Sequence, residues 1–457
     1  MIKKTYTKPS LFASLGDMLD LSHPLIRLAD KIEWSRFDEA FSSLYCNENG
    51  RPCKPIRLMC GLLILKHVRD ISDESVVDQW SENPYYQYFC GMEQFTTCAP
   101  CASSELVHFR HRIGEKGIEL ILAESIRVND DHDDKDTHET AFIDSTVQEK
   151  NVTYPTDAKL LKKAVGKILK IVEHEKLPLR QSYRRTLKAI YRDQRFRNHP
   201  KNWKKAKKAD RRLRTIAGRL LRELERNLRR KYGGPNSYGG QMNIFFHVLN
   251  QKRNDKNKIY SIHEPEVQCI SKGKEHKKYE FGNKASIVRS VTGLILGARS
   301  FCNEYDGHTI ERSLEQVERL TGKKIKRLAG DRGYRGKKEV NGTQILIPDT
   351  PKASDSYYRK RKKRDLFCKR AGIEPTISHV KHDFRMGRNF YKGVFGDNIN
   401  VMLAAAAYNF KRAMRYLLCL IEMVISLTKN LGTTTKSGFS HCPHLSVALK
   451  LSFLRAN

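Results

Sequence analysis

Nowhere does this sequence run for about 18 residues without a charged side chain, so no segment has the length and apolarity of a membrane-spanning helix. The nearest approach, Tyr416 to Leu427, is short and contains Glu422. The first residues, MIKKTYTKPSLFASLGDML, are basic but hold no apolar core of a secretory signal. A cytoplasmic protein is expected. Acidic residues are scarce: 51 Asp+Glu face 85 Lys+Arg, a formal net charge of +34. Such a surplus repels itself without a polyanionic partner. Nucleic acid is the first candidate, and an acidic membrane surface the rival. Cysteine is present, but its 11 copies are an odd number, and several (Cys60, Cys302, Cys419) sit among apolar residues as buried thiols do. A disulfide framework is not expected. Cys98 and Cys101 precede His108 and His111 and could in principle hold zinc. The histidines are more tightly spaced than zinc sites prefer, which favours a turn at Pro100 followed by a helix.

The 39% of hydrophobic residues in 457 suffices for real cores, in about three domains or one large domain with insertions. Residues 1–128 read as an all-α region. Ile26, Ala29, Ile32, Phe37 and Phe41 recur at mostly helical spacing. PIRLMCGLLILKHV follows, then a break at Arg69-Asp70 and DESVVDQWSENP with Ser72 as N-cap. This helix pair fits a helix-turn-helix or an ordinary bundle; the first reading gives the region a DNA-end-binding role. A further helix is expected from Ser103. Residues 129–139 form an acidic linker, read as solvated.

The pattern then changes. TAFIDSTV, IYSIHEP, EVQCISK, EFGNKASIVRSV, GLILGARSF and TQILIPDT read as strands. Helices are expected from His308 to Gly322 and from Phe367 to Asp383. Strands with intervening helices indicate an α/β fold over 140–415. A helical insertion of about 158–240 interrupts it. Within it, Arg184 to Lys231 carries 20 Lys+Arg against 4 Asp+Glu. Leu213, Ile216, Leu220, Leu224 and Leu228 form an apolar stripe, so one basic amphipathic helix is expected. Arg211, Arg212 and Arg214 are its candidate phosphate contacts. It lacks the large aromatic apolar face of a membrane-surface helix. A second basic cluster, YYRKRKKR at Tyr357 to Arg364, offers Lys360 and Arg361 as a DNA clamp. Residues 416–457 are read as a C-terminal helix and a Thr/Ser/Gly-rich tail.

Three acidic residues stand out by context. Asp144 lies inside the apolar strand FIDST, where a carboxylate is costly unless paired or metal-bound. Asp331 closes the strand-like RLAGD. Glu374 lies in a stretch dense in basic residues. Together they could hold two Mg²⁺ ions, which take hard oxygen ligands and can serve both oxygens of an in-line phosphodiester displacement. Asp349, Asp306 and Glu339 are rivals; Asp349 reads as turn chemistry and Glu339 as a surface pair.

With these residues marked, the chain resembles DDE transposases of bacterial insertion sequences, the IS-five family in particular. The resemblance rests on PIRLMCGLLILKHVRDISDESVVDQWSENPYYQYFCG, FRHRIGEKG, FIDSTVQEKNVTYPTDAKLL, HKKYEFGNKASI, AGDRGYRG and IEPTISHVKHDFRMGRNFYKGVFGDNINVMLAAAAYN. It implies an RNase H-like mixed-sheet catalytic domain with Asp144, Asp331 and Glu374 as catalytic triad and metal ligands. It implies Mg²⁺ as cofactor, with Mn²⁺ as substitute. The family's Tyr-Arg-Glu-Lys motif matches at Arg370, Glu374 and Lys381, with Phe367 in place of tyrosine. Arg370 and Lys381 would then hold phosphates. Spacing puts the four on one helix face, but Pro375 implies a kink or a helix start there. Asn151, Tyr154 and Asp157 match as local support. The implied partners are double-stranded DNA, as transposon ends and target, and further copies of the chain, a homodimer or higher in the synaptic complex. The implied location is the bacterial nucleoid. Two other functions fit the composition: a non-catalytic nucleic-acid-binding protein, and an RNase H-like nuclease without strand transfer.

Overall fold

A computed structural model describes residues 14–45, 53–130, 139–234, 236–252, 254–271, 278–349 and 355–434, with side chains to Leu418. Most of the expected acidic linker, 131–138, and the end of the tail, 435–457, lie outside the described residues.

Seven helices come first: α1 (Leu15–Met18), α2 (Pro24–Lys31), α3 (Trp34–Ser42), α4 (Ile56–Val68), α5 (Asp73–Glu82), α6 (Pro84–Phe89) and α7 (Ser103–Arg127). Ser72 caps α5 as expected, its hydroxyl accepting from the Ser75 amide at 3.1 Å. Ile32 and Glu33 leave helical geometry, so the segment from Pro24 to Ser42 is two helices. Helix α7 kinks at Gly114, whose φ of 63° an L side chain rarely adopts.

The strand β1 (Thr140–Lys150) opens the sheet. Four helices follow before the next strand: α8 (Asp157–His174), α9 (Arg184–Asp193), α10 (Trp203–Tyr232) and α11 (Gly239–Asn250). They share a core of their own. The stripe Leu213, Ile216, Leu220, Leu224 and Leu228 on α10 is at most 3% exposed. Burial on that scale stabilises by about 1.5–3 kcal/mol per side chain. The expected single basic helix over 184–231 is in fact two, α9 and α10, with a loop at residues 194–202. IYSIHEP is not a strand: Ile262 is drawn into the helical core, and Gln251 bonds the backbone of Ile259.

The remaining elements are β2 (Gln268–Ser271), β3 (Tyr279–Ser290), β4 (Ile295–Phe301), α12 (Ile310–Thr321), β5 (Arg327–Ala329), β6 (Glu339–Val340), β7 (Thr343–Leu346), α13 (Tyr357–Ala371), α14 (Ile373–Asp383), β8 (Arg388–Asn389) and α15 (Gly393–Thr434). The fold is mixed α/β. The sheet order is β2-β3-β1-β5-β7-β6, with β4 also on β3 and β8 also on β1. β1 runs antiparallel to β3 and parallel to β5; β5 runs parallel to β7.

Strand alternation sends neighbouring residues to opposite faces. On one face Ala141, Ile143, Val288, Leu296 and Leu328 meet Ile310, Leu314 and Val317 of α12. On the other, Ala285, Ile287, Ile295 and Ala298 join α15 and the N-terminal helices in a continuous core. Two buried asparagines fix that junction. Asn409 of α15 bonds both backbone groups of Ile295 and the Ser125 hydroxyl, and Asn129 bonds the Ser125 and Asn409 carbonyls.

Candidate active site

β1 pairs with β5 only through residues 140–142 and with β8 only through Glu149 and Lys150. Between these pairings its edge is open, and Asp144 lies in that opening. Phe142 is level with Ala329. Asp144 stands two residues beyond Phe142 on β1, and Asp331 two residues beyond Ala329, just past the end of β5. The Asp331 carboxylate accepts from the Gly333 amide at 2.8 Å and caps a single 3₁₀ turn, Arg332–Tyr334.

Glu374 is the second residue of α14, which packs on β1. Pro375 is the third residue, where its missing N–H costs nothing. The chain therefore breaks at Gly372. Phe367 and Arg370 belong to α13, while Glu374 and Lys381 belong to α14. The single helix face expected from spacing is replaced by two helices meeting at the site.

One small apolar cluster sets the arrangement. Phe142, Ala329 and Ile373 are wholly buried together, with Leu366, Phe367 and Ile377 packed against them. Each of the first three stands one or two residues before one of the carboxylates. Phe367 thus has a packing role that needs the ring and not a hydroxyl. The cluster fixes Asp144, Asp331 and Glu374 relative to each other from three separate segments of chain.

Asp144 has a side chain 16% exposed. Its Oδ1 accepts from the Ser145 amide at 2.8 Å, and Oδ2 meets only Arg370 Nη2, at 3.4 Å. Burial, followed by the charges of Asp331 and Glu374, outweighs that bond and Arg370 and pushes its pKa up to about 6. The three carboxylates are therefore within electrostatic reach of each other. Arg370 Nε is buried without a hydrogen-bond partner among the described residues. The site gathers carboxylates, hard oxygen donors that fit a divalent cation in kind. Among the described residues no three His, Cys, Asp or Glu side chains close around one point at metal-ligating distance, Cys98, Cys101, His108 and His111 included. The carboxylates are gathered but not drawn together.

The other residues singled out by sequence fall in three places. Lys381 is half-buried two helical turns beyond Glu374. Lys360 and Arg361 lie on α13, where Tyr357 and Tyr358 are 81% and 74% exposed. Arg211, Arg212 and Arg214 are exposed on α10, in the separate helical unit. Asn151 closes β1 onto Asn389 by a backbone bond, Tyr154 meets the Phe281 ring edge-on, and Asp157 opens α8. Of the rivals, Asp306 is taken up by the Ser145 hydroxyl at 3.0 Å and Lys284 at 2.8 Å. Sequence reasoning missed Tyr334, buried three residues after Asp331. Burial, and then Asp144, Asp306 and Asp331, raise its hydroxyl pKa far above the usual value. The only signal was an aromatic residue inside GDRGYRG.

Two family models match the chain. A transposase domain (DUF772) matches residues 13–112, and a transposase DDE domain matches residues 256–410. This chain belongs to the DDE transposases of insertion sequences. It is also 43% identical over 176 residues to the uncharacterized protein ORF8 in the nfe locus of Rhizobium meliloti, an alignment covering 38% of this chain and 84% of that one. No solved structure matches. The second model spans Asp331 and Glu374, and the first spans α2 to α6. DDE transposases act on DNA and generally use divalent metal ions. No helix among the described residues is long and apolar enough to cross a membrane.

Proposed function

We propose that this transposase binds the terminal inverted repeats of its own element, cuts them to free 3′-OH ends and joins those ends to target DNA. The observation that carries the proposal is the convergence of Asp144, Asp331 and Glu374 over one apolar cluster, with Asp144 raised to a pKa of about 6 by burial and by the other two. A carboxylate held in such surroundings gains from a cation. Asp144 on β1 and Asp331 just past the end of the neighbouring parallel strand would share two Mg²⁺ ions, and Glu374 would complete the second site. Mn²⁺ would substitute. When bound, the ions supply a nucleophilic oxygen at neutral pH and offset charge on the departing 3′ oxygen.

The chain's own residues do the rest. Arg370 stands against Asp144, and its guanidinium would turn to a DNA phosphate, where a planar fork suits the phosphate oxygens. Lys381 holds a second phosphate beyond Glu374. Half-buried Lys360 and exposed Arg361 on α13 continue the backbone track away from the carboxylates. Arg211, Arg212 and Arg214 on α10 grip the transposon end from the helical unit. The N-terminal helices bind the repeat.

A carboxylate on the central first strand and another at the end of a parallel neighbour support an RNase H-like catalytic domain with α8 to α11 as its insertion. We place the chain in the IS-five family. It acts as a dimer or higher when two ends are brought together, on the nucleoid in the cytoplasm. The test uses purified protein, Mg²⁺ and labelled fragments of the DNA flanking its coding sequence. Nicks at the element ends, and joining of pre-cut ends, are expected. Nicking without joining selects a nuclease, and binding without nicking selects a non-catalytic DNA-binding protein.

A further inference from the structure

The loop between α9 and α10 was not expected from sequence, and it holds the most exposed large apolar side chain of the helical unit. Phe196 is 81% exposed and has φ of 51°. An aromatic residue in the left-handed region is strained, and such strain persists only where the surroundings hold it. They do here. Asp210 of α10 accepts from Gln194 Nε2 at 2.7 Å and forms an ion pair with Arg197, on either side of Phe196. The Phe196 carbonyl accepts from the His199 amide at 3.0 Å, and the His199 carbonyl from the Trp203 amide at 3.2 Å. The loop is braced on both flanks, yet it aims its one large apolar side chain at solvent, beside an open cleft of about 840 Å³.

Its charge names the occupant. Arg195, Lys201, Lys204 and Lys205 are exposed around it, and Trp203, 48% exposed, carries Lys207 at 5.7 Å from its ring centre. Residues 184–210 hold 11 Lys+Arg against 2 Asp+Glu. A surface for a second copy of this chain, itself strongly basic, would set like charge against like. DNA offers both what the cations need and what the ring needs: phosphates outside, and a base step into which an apolar wedge can enter.

We propose that Phe196 is a DNA wedge: it enters a base step of the bound duplex and unstacks it, while the surrounding cations hold the flanking phosphates. The bend this produces lets the duplex follow α10. The wedge rests on the reading of this chain as a DNA-binding transposase, but it is not part of the catalytic chemistry. Because the side chain is exposed, its removal leaves the core intact.

The full-length protein is mixed, without divalent metal, with end-labelled duplexes tiling the DNA that flanks its coding sequence. Permanganate then marks unstacked thymines. The wild type is expected to give at least one hyper-reactive thymine within its protected region. Phe196→Ala should abolish that signal and weaken binding about tenfold, since wedge contacts contribute on the scale of a stacked base. Phe196→Trp should retain the signal, and Arg195→Gln should weaken binding while leaving the site of unstacking unchanged. A hyper-reactive thymine that survives Phe196→Ala, or protection with no hyper-reactivity in the wild type, overturns the wedge alone. A change in sedimentation with an unaltered permanganate pattern assigns Phe196 to self-association and also overturns it. Failure of the wild type to bind any tile overturns the underlying DNA-binding reading instead.

Discussion

Asp73, at the start of α5, and Asp144, within β1, are aspartates buried to the same degree, with side chains 15% and 16% exposed. Their surroundings are opposite. Burial raises the Asp73 pKa, but two hydrogen bonds from Arg110 at 2.8 Å and one from Lys66 at 2.8 Å overcome it and bring the pKa to about 2. Lys66 and Arg110 in turn stack on the Tyr391 ring, at 4.6 and 4.5 Å from its centre. This joins three N-terminal helices to the chain after β8. Asp144 receives one backbone bond, one guanidinium at 3.4 Å and the repulsion of two carboxylates. A carboxylate that serves the fold is surrounded by donors. One proposed to serve chemistry is left short of them, where a cation could supply the charge.

The largest expected effect separates the two at once. Asp144→Ala, Asp331→Ala and Glu374→Ala should each lower metal-dependent nicking by about 10³-fold or more, because removing a ligand forfeits several kcal/mol of transition-state stabilisation. Thermal melting should stay near the wild-type value. Asp73→Ala should do the reverse. Leaving Lys66 and Arg110 buried without their carboxylate should cost about 3–5 kcal/mol in denaturant unfolding. Nicking by the molecules that remain folded should persist.

The pH dependence of stability should also differ in sign. The Asp73 pKa is depressed, so its contribution is present above the unfolded value and is lost as pH falls toward about 2. The Asp144 pKa is raised, so the folded state binds the extra proton, and stability in the metal-free protein falls as pH rises from the unfolded value through about 6. Asp144→Asn should therefore melt higher than the wild type at pH 8 without metal, and the difference should shrink as pH falls and vanish only below the unfolded value of 3.8. Saturating Mg²⁺ should erase the advantage. The smallest effect belongs to the exposed helix: replacing Arg211, Arg212 and Arg214 by Gln should reduce the slope of log K against log[salt] by about 0.9 for each phosphate that is no longer neutralised. It should leave folding unchanged.

Much of this comparison was legible in the sequence. The apolar run around Asp144 announces a buried carboxylate, and the Ser72 cap, the α10 stripe and a helix start close to Pro375 follow from local rules. What was not legible depended on tertiary context. Asp73 reads as an ordinary first-turn acid of α5, because nothing in the sequence shows Arg110 folding back onto it from 37 residues away. The loop at 194–202 was hidden because basic residues run continuously from α9 into α10, so charge alone gave no sign of the break. IYSIHEP has the apolar residues of a strand, but the neighbouring helical core captures Ile262. The pairing of Phe142 with Ala329, which brings the segments of Asp144 and Asp331 side by side, is a matter of strand register, which no single segment encodes.

The central claim is that Asp144, Asp331 and Glu374 form one divalent-metal site. Iron-directed backbone cleavage tests it most directly. Fe²⁺ replaces Mg²⁺, ascorbate and peroxide are added, and the protein fragments are mapped. Cuts flanking residues 144, 331 and 374, suppressed by excess Mg²⁺ and abolished in Asp144→Asn, are the expected result. Cleavage that avoids these three segments, or that persists unchanged in Asp144→Asn, would contradict it.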